Sequence, residues 1–259
     1  MATGRVTLAT DFGTRDPYVA AMKGVIGRIS PDVPILDLTH DITPQSILEG
    51  ALFVAGAMPY FAPGTVHVVV VDPGVGSHRR AVAVRAGGQV FVCPDNGLLT
   101  LFLRRHEVEE ARVLTEKRFM LDSVSATFHG RDVFAPIAAH VARGVPLSKL
   151  GPEAGPLVSL ALPEPTVTPE GRLRGEVIHV DRFGNLITNV PMGNIGGFRK
   201  VYVAGRRLAS IQRTYSDVSA GCVLALVGSS GYLEVAVNVG NAAEKLGAGV
   251  GTPVEIGPK

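Results

Sequence analysis

A run of aliphatic residues at Val66–Val71 constrains the fold more than any other feature of the chain. It reads Val-His-Val-Val-Val-Val. β-Branched residues favour strands, and a strand that is apolar without alternation is buried on both faces. Such strands are typical of parallel sheets that helices cover on both sides. The run therefore predicts a domain of the α/β class.

Around this run, the first half of the chain alternates between strand-like and helix-like patterns. One helix is predicted to begin at Asp16-Pro17, with Asp16 as its N-cap and Pro17 as the first helical residue. Its apolar face consists of Val19, Met22, Val25 and Ile26. The predicted strands are 6–10, 35–38, 66–71, 81–85 and 89–93, and the other predicted helices are 46–61, a short one after Asn96, and 131–143. This order predicts a largely parallel sheet.

A change of composition between residues 151 and 172, where Gly, Pro and Glu accumulate, marks a domain boundary. We predict an N-terminal α/β domain over 1–160 and a smaller, β-barrel-like C-terminal domain over 170–259. The strands expected in the second domain are 175–180, 185–190, 200–204, 222–227 and 232–237, with one short helix after Asn241. Short strands separated by regular turns are typical of a barrel or sandwich.

Composition and charge exclude several classes of protein. The chain is 46% hydrophobic and carries a net charge of +2, which excludes a disordered protein. Its basic residues form no patch or stripe, so nucleic acid is not an expected partner. No apolar stretch is long enough to span a membrane, and no signal-peptide core is present, so we expect a soluble, cytoplasmic protein. Cys93 and Cys222 both lie in apolar runs and are expected to be buried free thiols.

Polar residues gather after the predicted strands, where open α/β sheets bind their ligands. The segments are Thr10–Gly13 with Asp16, Asp72–Arg80, Pro94–Gly97, Thr127–Asp132 and, in the second domain, Asp181–Asn185. Asp72 follows the valine run directly and His129 lies just before a helix, so these two are the strongest candidates from spacing alone. The Asp95-Asn96-Gly97 segment is better explained as a turn and helix start.

Two familiar kinds of site are disfavoured. Gly74 and Gly76 lack the third glycine of a dinucleotide-binding loop, and no phosphate-binding lysine follows them. Metal-ligand residue types occur at Asp11, Asp37, His40, Asp41, Asp72 and His129. Their spacing matches no metal-binding pattern, so no metal is expected.

Five motifs occur together and in order along the chain: TDFG, VVDPGVG, PDNG, TFHGRDxFAPxAAH and DRFGNLITN. In this set the sequence resembles the adenosine-forming S-adenosyl-L-methionine (SAM) hydrolases, also called SAM hydroxide adenosyltransferases, which are relatives of fluorinase and chlorinase. The resemblance extends to Asn238 and Asn241 and so covers almost the whole chain. It implies an α/β N-terminal domain, a barrel-like C-terminal domain and a homotrimer. SAM is then expected between one subunit's N-terminal domain and its neighbour's C-terminal domain.

The resemblance also assigns site residues. Asp72, Arg79 and His129 match the Asp-Arg-His set of the hydrolases, in which the halogenases replace the Asp and the His. The matched substrate-binding residues are Asp11 for the ribose hydroxyls, Asp16, Thr127, Asp181 and Ser229 for methionine, Phe128 and Gly130 for the ribose and C5′, and Phe183, Asn185 and Asn238 for adenine. One departure is Gln45 after Thr43-Pro44, where the halogenases carry Trp.

These matches predict hydrolysis of SAM to adenosine and L-methionine by attack of water at C5′. The leaving group of a sulfonium is a neutral thioether, so the chemistry requires no general acid. SAM is the substrate and partner, and no cofactor, nucleic acid or membrane is expected. Two alternatives stay open at this point: a 5′-halogenase that uses SAM and a halide, and a non-catalytic protein that binds adenosine or SAM.

Overall fold

The valine run forms the third strand of a six-stranded sheet in the first of two structural units. The computed structural model of the protein describes residues 4–196 and 198–258. The first unit ends at Leu160 and the second begins at Ala161. The strands of the first unit are β1 (Val6–Thr10), β2 (Ile35–Thr39), β3 (Val66–Val70), β4 (Ala81–Ala86), β5 (Gln89–Pro94) and β6 (Val108–Val113).

The sheet is mixed, with a parallel part and an antiparallel part. Its order is β2-β1-β3-β5-β4-β6. The β1–β2, β1–β3 and β3–β5 pairs are parallel, whereas β4 is antiparallel to both β5 and β6. The parallel pairs agree with the prediction, but the antiparallel β4 does not, because Gly87 and Gly88, both with positive φ, form a tight turn that reverses the chain from β4 into β5. The strand β6 was not predicted, since its sequence Val-Glu-Glu-Ala-Arg-Val lacks an apolar run.

Helices cover both faces of this sheet, as the valine run predicted. Val66, Val68 and Val70 belong to one core cluster, and Val69 and Val71 belong to another. The helices of the first unit are α1 (Tyr18–Ile29), α2 (Ile47–Ala57), α3 (Thr100–Leu103) and α4 (Ala135–Ala142), with a π-helical turn at Gly130–Phe134 before α4. The first core cluster contains side chains from α1 and α4, and the second contains side chains from α2 and α3.

The apolar face of α1 is confirmed, but its predicted cap is wrong. Val19, Met22, Val25 and Ile26 are the buried residues of the helix. Pro17 occupies the N-cap position, one residue later than predicted, and no side chain of the described residues caps the helix there. Asp16 is exposed and remains available for another role.

The second unit contains a closed barrel of seven described strands. Its strands are β8 (Leu173–Val180), β9 (Leu186–Pro191), β10 (Phe198–Val203), β11 (Arg206–Gln212), β12 (Val223–Val227), β13 (Tyr232–Val237) and β14 (Pro253–Pro258). The short β7 (Thr166–Val167) pairs with the first two residues of β8. Strand order is β14-β10-β11-β12-β13-β9-β8, and a β14–β8 pairing closes the ring. The short helices are α5 (Met192–Ile195) and α6 (Ala242–Leu246).

The barrel-like architecture was predicted, but two of the strands that close it were not. The strand β11 begins with two arginines, and β14 begins and ends with proline, so neither shows a strand-like apolar pattern. The strand β11 pairs with β10 and β12, and β14 pairs with β10 and with the distant β8. This information is not contained in the local pattern.

The sequence predicted two buried free thiols and no membrane-spanning segment. Cys93 is a buried free thiol, as predicted. Cys222 is also free but exposed, because it lies in a turn before β12 in which its N–H bonds to Ser219 O. Among the described residues, no helix is long and apolar enough to cross a membrane.

Candidate active site

An ion pair between Asp72 and Arg79 lies directly after β3. Arg79 Nε donates to Asp72 Oδ1 at 2.8 Å, and Arg79 Nη2 donates to Asp72 Oδ2. Both side chains are largely buried, with 5% of Asp72 and 10% of Arg79 exposed. A buried bidentate pair of this kind fixes the guanidinium plane as well as its position. The charge of Asp72 is therefore already matched by Arg79.

The loop that joins these two residues is held by its own turns and by one glycine. Val75 N–H bonds to Asp72 O, and the Ser77 hydroxyl donates to Gly74 O. Gly76 has a φ of +76°, and a Cβ built on it would lie 2.4 Å from Ala126 O. Only glycine fits both the left-handed backbone and this close approach. The contact brings residues 125–129 against the loop.

His129 completes the group from the other side. Arg79 Nη2 donates to His129 Nδ1 at 2.8 Å, so the guanidinium joins the imidazole to the Asp72 carboxylate. His129 immediately precedes the π-helical turn. Burial, followed by the charge of Arg79, lowers the pKa of His129 below its usual value of 6.5, against the opposing effects of Asp72 and Asp132. The ring is therefore neutral at neutral pH.

These side chains border a cavity of about 340 Å³ in the first unit. The predicted residues in its wall are Asp72, Thr127, Phe128, His129 and Gly130, and Arg79 lies behind two of them. Wall residues that sequence reasoning missed are Phe12, Tyr18, Val70, Val75, Ser125 and Arg131. Each lies within or beside a segment that was singled out. Their position in or beside these segments could have indicated them, but a single sequence does not show which side chains of a segment point into the cavity.

Asp11 and Asp16 flank this wall rather than form it. Asp11 Oδ2 accepts a hydrogen bond from the backbone N–H of Gln45 at 2.8 Å. Gln45 has a φ of +68°, which is strained for a residue other than glycine. Asp16 makes no side-chain hydrogen bond with the described residues.

In the second unit, three of the predicted residues form one turn between β8 and β9. Asp181 Oδ1 accepts the N–H groups of Phe183 and Asn185, each at 2.9 Å, and its Oδ2 accepts the Asn185 amide at 2.9 Å. Asp181 thus shapes the turn in which it lies. Phe183 is 75% exposed, which is unusual for a large apolar side chain.

The other two predicted residues of the second unit lie at opposite ends of β13. Ser229 is exposed in the turn between β12 and β13. Asn238 follows β13, and its amide donates to Val218 O at 2.7 Å. Next to it, Val239 is 87% exposed and has a φ of +54°. Val239 is thus a second apolar side chain, after Phe183, that is largely exposed in the second unit.

Family models match both units of the chain. Residues 6–151 match the SAM hydroxide adenosyltransferase N-terminal domain, and residues 175–255 match the C-terminal domain of the same family. The chain belongs to this family.

The relatives more similar in sequence to this chain are named hydrolases, and the fluorinases are more distant. The chain is 44% identical to an (R)-S-adenosyl-L-methionine hydrolase of Thermus thermophilus, over 97% of this chain and 98% of the relative. A hydrolase of Salinispora tropica is 40% identical over 97% of each chain. A fluorinase of Actinopolyspora mzabensis is more distant, at 29% identity over 92% of each. The crystal structure of a conserved Thermotoga maritima protein has a TM-score of 0.88 at 36% identity, covering 97% of this chain and 99% of that one.

The candidate metal ligands do not form a cluster in this family member. Across residues 4–196 and 198–258, no group of three or more His, Cys, Asp or Glu side chains is placed to hold a metal ion. Asp37 is paired with Lys23 and lies 3.1 Å from His40 Nε2. Asp72 and His129 are both bonded to Arg79. The arrangement is one of an oriented cation and a neutral imidazole beside a cavity.

Proposed function

We propose that this chain hydrolyses (R)-S-adenosyl-L-methionine to adenosine and L-methionine by attack of water at C5′. The observation that carries the proposal is the contact of Arg79 with both Asp72 and His129 at the wall of one cavity. A fixed guanidinium beside a neutral imidazole can orient a water molecule and favour its hydroxide character. The hydrolase relatives support the same substrate and reaction.

The reaction balances without any added group. A water oxygen forms a bond to C5′ while the C5′–S bond breaks and its electron pair returns to sulfur. The positively charged sulfonium becomes the neutral thioether of methionine, and the water releases one proton to solvent. Because the leaving group departs neutral, neither a general acid nor a metal is needed. Alignment of oxygen, C5′ and sulfur supplies much of the acceleration.

The hydrogen bonds at Arg79 define what His129 does. A guanidinium has only donors, so His129 Nδ1 is the acceptor and the proton of the neutral ring lies on Nε2. In this state the imidazole offers an N–H donor, which can hold the oxygen of the attacking water. Accepting a proton would make a second cation beside Arg79, which the lowered pKa of His129 opposes. His129 therefore orients the nucleophile, and Arg79 stabilises the negative charge that develops on it.

The remaining matched residues are proposed to bind the parts of SAM. Glycine is favoured at position 130, because a Cβ there would lie 3.2 Å from both Phe12 and Phe128 and would crowd the cavity wall. We assign Asp11 to the ribose hydroxyls, Asp16, Thr127, Asp181 and Ser229 to the methionine moiety, Phe128 and Gly130 to the ribose and C5′, and Phe183, Asn185 and Asn238 to adenine.

A homotrimer with active sites shared between subunits is part of the proposal. Phe183 and Val239 are large apolar side chains left exposed in the single chain. Exposed apolar groups of this size mark surfaces that a ligand or another protein covers. A cytoplasmic location is also proposed, supported by the exposed free thiol of Cys222, which suits a reducing compartment.

The test compares Asp72→Asn with Asp32→Asn, an exposed aspartate outside the cavity wall. Adenosine and methionine formed from SAM are quantified by chromatography. Because an amide cannot accept both donors of Arg79, Asp72→Asn should lower kcat by about 10²-fold or more, with a smaller change in SAM affinity. Asp32→Asn should match the unmodified protein. SAM that stays intact with every protein would favour the non-catalytic alternative.

A further inference from the structure

Three aromatic rings at the cavity contact one another. The ring centroids are 5.7 Å apart for Phe12 and Tyr18, 5.9 Å for Phe12 and Phe128, and 5.2 Å for Tyr18 and Phe128. All three line the cavity that contains Asp72 and His129. Phe12 comes from the segment between β1 and α1, Tyr18 is the first residue of α1, and Phe128 comes from the segment before the π-helical turn. We call Phe12, Tyr18 and Phe128 the aromatic wall.

The two carboxylates in or directly behind the cavity wall are already paired with arginines. Asp72 is bound through both oxygens by Arg79, and the fully buried Asp132 is bound by Arg131. Each described pair of opposite charges is close to neutral as seen from the cavity. A positively charged ligand therefore gains little from the net charge of the wall itself, and Asp16, which pairs with no described residue, lies beside the wall rather than in it. Part of its attraction must come from groups that are not ionised.

Aromatic rings attract cations through their quadrupole, and the effect strengthens when water is excluded. Arg131 shows this locally, since its guanidinium carbon lies 5.0 Å from the centre of the Phe128 ring. That face of Phe128 is thus occupied by a cation. The rings left to face another cation are those of Phe12 and Tyr18, and Tyr18 is 45% exposed in the single chain.

We propose that Phe12 and Tyr18 bind the sulfonium group and make the site select a positively charged ligand over a neutral thioether. The inference rests on the proposed function for the identity of the substrate. It adds two specificity-determining residues to that site.

The attraction between the rings and the sulfonium affects the binding of SAM rather than the rate of the chemical step. Positive charge is greatest in bound SAM and declines as the C5′–S bond breaks, so the ring–cation attraction is weaker in the transition state than in the ground state. An interaction of this kind lowers KM without raising kcat. Both products are neutral at sulfur, so the attraction ends with the reaction and product release is not slowed by it.

The experiment uses two ligands that the enzyme does not consume. S-Adenosylhomocysteine is a neutral thioether, and sinefungin carries an amine-bearing carbon, protonated at neutral pH, in place of the sulfonium. The ratio of their dissociation constants is measured by titration calorimetry. In Tyr18→Leu the preference for the cation should fall by about 2- to 30-fold. Tyr18→Phe, which keeps the ring, should retain it, and Phe12→Leu should lose it as Tyr18→Leu does.

A matched control is Tyr60→Leu, a tyrosine that is 87% exposed and does not line the cavity. It should leave the ligand ratio unchanged. In steady-state assays, Tyr18→Leu should raise KM for SAM and leave kcat unchanged or slightly higher. An unaltered ratio in both Tyr18→Leu and Phe12→Leu, or no binding of either ligand to the unmodified protein, would overturn the proposal. Absence of turnover with the cation preference intact would overturn the proposed function alone.

Discussion

At the scale of single residues, Arg79 determines the chemical state of its neighbours. It donates to Asp72 and His129, and its guanidinium carbon also lies 5.4 Å from the centre of the Phe134 ring. The same cation orients the imidazole and helps to keep it unprotonated. Asp72 contacts Arg79 and acts on His129 through it.

The pH dependence of the reaction follows from this arrangement. Burial and Arg79 lower the pKa of His129, so its ring stays neutral at pH values below its usual pKa of 6.5. Because only the neutral ring can accept the Arg79 hydrogen bond, kcat/KM should decline on the acid side with a midpoint below pH 6.5. A pH–rate profile measures this, and NMR titration of the ring assigns it. A His129 midpoint at or above 6.5 would contradict the proposed role.

At the scale of structural elements, the loop after β3 depends on one close contact. Gly76→Ala would force a Cβ against Ala126 O at a φ of +76°. Gly64 is the matched control, with a φ of +84° and nothing within 4 Å of a built Cβ. Gly64→Ala should cost only the left-handed strain of about 1–2 kcal/mol. Gly76→Ala should cost that and roughly 1–3 kcal/mol more for overpacking, and it should lower kcat, as measured by urea unfolding and by assay. Equal losses in the two variants would contradict the argument.

A polar chain links three strands inside the same sheet. Gln89 donates its amide protons to Met58 O and Phe61 O, so its Oε1 accepts from His67 Nε2. His67 Nδ1 is then the acceptor for the Thr7 hydroxyl at 2.7 Å. Burial lowers the pKa of His67 to about 4. Every member of the chain is satisfied only when the imidazole is neutral.

The hydrogen bonds of His67 with Thr7 and Gln89 predict a specific loss of stability in acid. Between pH 6.5 and about 4 the unfolded chain binds a proton at His67 and the folded chain does not. The free energy of unfolding should therefore fall as the pH falls through this window, by on the order of 3 kcal/mol from this residue. Urea unfolding at several pH values should show a shallower slope in His67→Gln, whereas the exposed His78→Gln should keep the original slope. Identical slopes in all three proteins would contradict the assignment.

Some of these elements could be predicted from sequence and others could not. The valine run predicted β3 and its two covered faces because burial on both sides leaves a pattern within a single strand. Asp16-Pro17 predicted a helix start but placed the cap one residue early, since the cap depends on where the first helical hydrogen bond forms. Strands β6 and β11 were missed because their charged sequences lack an apolar run, and β14 was missed because its partners β8 and β10 are distant in sequence. Motifs placed Asp72, Arg79 and His129 in the candidate site, whereas Phe12 and Tyr18 required the direction of side chains in space.

At the scale of the whole molecule, the proposed sharing of active sites between subunits predicts the behaviour of mixed oligomers. Asp72 is in the first unit and Asp181 is in the second. If each site combines the two units from different subunits, trimers co-expressed from Asp72→Asn and Asp181→Asn chains contain some sites with neither change. Random mixing should restore about one site in four. Activity per subunit equal to the mean of the two separate variants would mean that each site is built from one chain.

Oxygen-18 labelling tests directly whether the oxygen of water attacks C5′ of SAM. The protein is incubated with SAM in halide-free buffer made with oxygen-18 water. The products are separated by chromatography, and their masses are measured by mass spectrometry. Attack of water at C5′ predicts adenosine labelled at its 5′-oxygen, together with unlabelled methionine. Unlabelled adenosine, label in methionine, or SAM that remains intact would contradict the account.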